Sequence, residues 1–68
     1  MEPRGSALVQ IKKGQLAPIL GSSQIVPLQI LGDAEDKWRA LIERKAVYVP
    51  HNIVLGLEGY FLVIEYKP

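Results

Sequence analysis

The absence of cysteine from a chain of only 68 residues constrains its fold more than any other feature. A domain of this size buries about 60% of the surface its unfolded chain exposes, and one such core supplies about 3 to 5 kcal/mol. Disulfides and thiolate zinc sites are excluded, and a single histidine, His51, leaves imidazole-rich metal sites without ligands. Packing within the chain, or against another chain, must supply what cross-links supply elsewhere.

An apolar fraction of 49% beside 22% charged residues describes a globular chain rather than a disordered one. The net charge of +1 offers no broad basic footprint for nucleic acid and no acidic field for cations. No apolar run approaches the roughly 18 residues of a membrane span, and Met1–Ser6 lacks the apolar stretch of a secretory signal. The expectation is a cytoplasmic protein with no membrane association. Residues 1–6, polar and turn-prone, read as a disordered or tag-like tail, and residues 7–68 as a single small β-rich domain.

Strand signals recur along the chain. Ala7–Lys12 alternates apolar and polar from Val9 onward and stops at Lys13-Gly14. Leu16–Leu20 contains Pro18 and Gln24–Leu31 contains Pro27, which confines each segment to an edge, a short strand or a bulge. Ala46–Val49 reads as a strand ended by Pro50, His51–Leu55 as a short irregular or helical connection, and Tyr60–Tyr66 as the clearest strand. Within that last strand Phe61-Leu62-Val63-Ile64 is apolar on both faces, more than a chain this short can cover, and a homo-oligomer, most simply a two-fold dimer, is expected. A faint echo relates Val26–Gly32 to Val49–Gly56 by a valine-proline start and a leucine-glycine end.

Between Asp33 and Pro50 two readings compete. Acids come first and bases last, Ala34, Trp38, Leu41 and Ile42 share one helical face, and Glu35, Arg39 and Glu43 stand four apart, which predicts a helix over 34–44. Summed propensity favours it. The rival is a hairpin turning at Glu43-Arg44-Lys45, with Trp38, Ala40 and Ile42 alternating onto a core face.

Residues that could carry chemistry are few. His51 follows Pro50 in a loop with no identifiable partner, and Ser6, Ser22 and Ser23 lie in turns without nucleophile-elbow spacing. Asp33, Glu35 and Asp36 lack the ligand alternation and glycine of a calcium loop, and Gly21-Ser22-Ser23 lacks the lysine of a phosphate cradle. The chain predicts no catalytic residue, no metal site, no cofactor and no enzyme. Lys12 and Lys13 precede a turn, and Lys37, Arg39, Arg44 and Lys45 cluster near Trp38, Tyr48 and Tyr60, a combination that can bind phosphate and stack bases, although Glu35, Asp36 and Glu43 interleave the second group.

Two segments resemble known families. Asp36-Lys37-Trp38-Arg39-Ala40 followed by Tyr48-Val49-Pro50-His51-Asn52-Ile53-Val54 resembles the second half of a Src-homology-three domain, which implies a small β-barrel. Pro50 and Asn52 carry over from that family's ligand groove, whereas Lys37 and Ile53 replace two of its aromatic walls, so the resemblance does not extend to the usual proline-rich ligand. From Ala46 to Glu65, Val47-Tyr48-Val49-Pro50, Leu55-Gly56-Leu57, Gly59 and Leu62-Val63-Ile64 resemble the swapped-hairpin module of transition-state regulators and antitoxins, which implies a DNA-binding dimer.

Taken together, the residues predict a mainly β domain of four or five strands, partly open and barrel-like, with one short helix at 34–44. The expected function is a non-enzymatic binding module that self-associates and meets another protein through Trp38, Tyr48, Pro50, Asn52, Tyr60 and Tyr66. The alternative is a small dimeric DNA-binding regulator using Lys37, Arg39, Arg44 and Lys45.

Overall fold

The computed structural model describes residues 3–33 and 35–66. Six strands follow one another: β1 (Pro3–Ile11), β2 (Ala17–Ile19), β3 (Ser23–Ile30), β4 (Val47–Val49), β5 (Ile53–Leu55) and β6 (Gly59–Tyr66). A four-stranded sheet has the order β1-β6-β3-β4, and β2 pairs with β5 in a second, two-stranded sheet. All pairings are antiparallel. The protein is mainly β, in two sheets that do not close into a barrel.

The prolines sit where a missing N–H costs least. Pro18 lies in three-residue β2, at the edge of the small sheet. Pro27 lies in β3, an interior strand, but the ladder with β4 stops at Ile25 and the ladder with β6 shifts register between Pro27 and Gln29. One core joins both sheets: Ile11, Ile19, Ile25, Leu41, Val49, Leu55, Leu57, Phe61 and Val63 are buried together.

Three expectations are corrected. The tail assigned to residues 1–6 is in part strand, because β1 starts at Pro3, and Gly5 and Ser6 pair with Glu65 and Ile64; Met1 and Glu2 lie outside the described residues. The connection at 51–55 contains β5, which raises the strand count to six. Among the described residues of 34–44 there is no α-helix, only one turn of 3-10 helix at Asp36–Trp38; Ala34 lies outside them. Backbone bonds of i to i−3 type run from the N–H of Trp38 to Glu35 O, Arg39 to Asp36 O and Leu41 to Trp38 O. The hairpin is absent too, since only its turn forms, with the Lys45 N–H on Ile42 O.

Tertiary contacts explain why propensity lost. A helix would need its Trp38, Leu41 and Ile42 face covered, yet Ile42 is 51% exposed. The segment is instead stitched to β3: the Arg44 N–H donates to Pro27 O at 2.7 Å, and the Ile30 N–H donates to the Glu43 carboxylate at 2.7 Å. Both bonds hold Glu43 and Arg44 in a turn against β3, a path a continuous helix over 34–44 would not follow.

A two-fold relation organises the strands. Ala17–Ile19 pairs with Leu55–Ile53, and Ser23–Ile25 pairs with Val49–Val47. A shift of thirty positions carries each N-terminal member of these pairings onto the C-terminal segment that partners the other. The same shift superposes the buried positions Ile11 and Leu41, Ile19 and Val49, Ile25 and Leu55, and Pro27 and Leu57. It also superposes the turns, since the Gln15 N–H donates to Lys12 O as Lys45 does to Ile42 O, and Gly14 and Arg44 both have positive φ, 83° and 65°. Residues 11–27 and 41–57 are therefore two copies of one structural unit with no identical residue between them. The echo suggested by Val26–Gly32 and Val49–Gly56 aligns the chain at a different offset from this repeat.

Candidate binding surfaces

Strand alternation gives the large sheet an inner face on the core and an outer face on solvent. Beyond the irregularity at Pro3–Gly5, where Arg4 lies, three cross-strand rows make the outer face: Ser6, Ile64, Gln24 and Tyr48; Leu8, Leu62 and Val26; Gln10, Tyr60 and Gln29. None of these ten side chains carries a charge. Leu8 is 76% exposed, Tyr60 40% and Leu28, in the bulge of β3, 40%. Leu8, Gln10, Leu28, Gln29 and Tyr60 border a shallow depression of about 570 Å³.

Two tyrosines fix the ends of this face. The Tyr66 hydroxyl donates to Gln24 Oε1 at 2.7 Å, and Gln10 Nε2 donates to the Tyr60 hydroxyl at 3.3 Å. Each ring thus has its polar end satisfied, and the row Leu8, Leu62 and Val26 between them is wholly apolar. The sequence announced half of this arrangement in the apolar run Phe61–Ile64, whose Phe61 and Val63 are buried while Leu62 and Ile64 turn outward. It gave no sign that Leu8 and Val26 share their row, because that depends on the order of strands.

A second surface gathers residues read from the sequence. Trp38, Tyr48 and Pro50 line one cleft of about 250 Å³ together with Lys37, whose ammonium lies 5.4 Å from the centre of the Trp38 ring. Asn52 does not join them. Its Oδ1 accepts from the Gly21 N–H at 2.9 Å, holding together the loops Leu20–Ser22 and Pro50–Asn52 where they cross. Tyr60 and Tyr66 belong to the outer face of the sheet, so the six residues expected at one protein-binding site fall into three places.

The basic residues are likewise dispersed. Arg39 is paired with Asp36 at 2.9 Å, both largely exposed, a contact of little energetic weight. Arg44 and Lys45 follow Glu43 in an exposed turn, and of the four only Lys37 accompanies an aromatic cleft. His51 is exposed, Ser23 is buried with its hydroxyl donating to Leu20 O, and Asp33, Glu35 and Asp36 face solvent. Among the described residues no group of three or more histidine, aspartate and glutamate side chains is placed to hold a metal, and no helix is long and apolar enough to cross a membrane. Comparison of the chain with protein families, with curated proteins and with solved structures finds no match.

Proposed function

We propose that this protein is a non-enzymatic binding module that self-associates through the outer face of its four-stranded sheet and offers the Trp38–Tyr48–Pro50 cleft to a protein partner. The observation that carries this reading is the uncharged outer face, with Leu8 76% exposed at its centre row. In a chain with 8 basic and 7 acidic residues, ten neighbouring sheet positions without a charge favour an apolar partner. A second copy is such a partner, since two identical uncharged faces meet without stranding an ion.

Sedimentation at about 50 µM tests it, a concentration at which a micromolar dimer is mostly associated. In protein kept folded throughout, without a refolding step at high concentration, the wild type is expected at two-chain mass and the Leu8→Lys variant at one-chain mass with its β-sheet spectrum unchanged. A wild type that sediments as one chain throughout would sink the proposal. Duplex DNA is expected to leave the sedimentation unaltered; binding that weakens steeply with salt would instead favour the regulator built on Lys37, Arg39, Arg44 and Lys45.

A further inference from the structure

Every strand pairing among the described residues joins one half of the chain to the other. β1 and β3 pair with β6, β3 pairs with β4, and β2 pairs with β5; no pairing lies within 3–30 and none within 47–66. The core is divided the same way, with Ile11, Ile19 and Ile25 from the first half and Val49, Leu55, Leu57, Phe61 and Val63 from the second. Neither half has a sheet of its own; the first holds one copy of the repeated unit, 11–27, and the second holds the strands of the other copy, whose opening turn at 41–46 lies in the connecting segment.

We infer that the protein forms an exchanged dimer, in which residues 47–66 of one copy complete residues 3–30 of another. This is a second mode of self-association, distinct from the face docking proposed above because it does not use the outer face, and it rests on that reading only for the claim that copies associate at all. Exchange preserves every strand pairing, because each ladder already runs between halves. What it alters is confined to the segment 31–46, whose described residues hold to the rest through the buried Leu41, the half-buried Trp38 packed on the core, the Glu43 carboxylate on the Ile30 N–H, the Arg44 N–H on Pro27 O, and the N–H groups of Leu31 and Gly32 on Glu58 O.

The length of that segment allows both states. Extended at roughly 3.3 Å per residue it spans ~50 Å, more than the 19 and 18 Å minor dimensions of the molecule, so it can fold back or bridge two lobes. Folded back, it keeps Arg44 at a φ of 65°, a strain that the extended path removes. Concentration then decides between the forms, through the effective concentration of a chain's own second half.

Complementation between full-length variants tests exchange. Ile25 and Phe61 are fully buried, one in each half, so Ile25→Asp and Phe61→Asp are each expected to unfold alone. In an exchanged pair of the two, one lobe carries both defects and the other carries neither. Refolded together, the variants are expected to recover about half of the wild-type β-sheet signal in a species of two-chain mass. No recovery at any concentration overturns exchange. A variant that stays folded alone is replaced by Ile11→Asp or Leu55→Asp, which lie equally deep in the same halves.

A second measurement separates this inference from face-to-face docking. Wild-type dimer made by refolding at high concentration is expected to persist after dilution for as long as global unfolding takes, and to form equally in Leu8→Lys. A dimer that dissociates at once and is lost in Leu8→Lys overturns exchange and leaves face docking standing. A protein that is one chain under every condition overturns both.

Discussion

Two residues show how closely the halves fit. A Cβ added at Gly21 would stand 2.6 Å from the carbonyl oxygen of Pro50 and 2.8 Å from the Cα of His51, both backbone atoms of the crossing loop. Backbone cannot yield as a flexible side chain can, so Gly21→Ala is expected to destabilise by about 1 to 3 kcal/mol, a large share of what a core this small supplies. Urea unfolding checks it as a lower midpoint with an unchanged slope. Arg44 is the opposite case. It adopts the left-handed conformation that glycine occupies at the equivalent position Gly14, so Arg44→Gly is expected to be neutral or to stabilise by up to about 1 kcal/mol in the same assay. The turn at 43–45 belongs only to the rival hairpin reading of the sequence, and nothing local gives its handedness, which accompanies the Arg44 N–H reaching Pro27 O.

At the level of elements, pairing on both sides separates β6 from the rest. It lies between β1 and β3 along nearly its whole length, whereas β2 and β5 share only three register positions and β1 has one open side. Amide exchange is expected to be slowest in the β6 residues Phe61–Ile64 and markedly faster in β2 and β5; equal protection throughout would contradict this ordering. The strands most legible in the sequence are those with the longest ladders, because long apolar runs are what long ladders require. Short β5 was missed since Ile53-Val54-Leu55 follows Pro50-His51-Asn52 and resembles a loop until β2 is placed beside it. The helix predicted over 34–44 does not form among the described residues, for a related reason. Its charges and apolar spacing are helical, but Glu43 and Arg44 are captured by β3, about which local sequence carries no information.

For the whole molecule, the mainly β class followed from apolar runs punctuated by glycine and proline, while the two-fold repeat did not, because its copies agree in burial and turn geometry without sharing a residue. The candidate surfaces were legible only in part. Trp38, Tyr48 and Pro50 line one cleft, whereas the uncharged rows are a product of strand order, which brings Leu8 of β1 beside Leu62 of β6 and Val26 of β3. Leu8→Lys therefore belongs to this scale: it is expected to abolish the face-docked dimer of protein that has not been refolded and to leave the fold intact, whereas Gly21→Ala changes the fold's stability.

The register of β1 against β6 places Pro3 opposite Tyr66. Tension applied at those two residues would load the ladder one hydrogen bond at a time, as a zip opens, rather than shearing all of its bonds together. The protein is thus built to yield gently when stretched between these points, and to resist far better a pull that draws β1 lengthwise past β6.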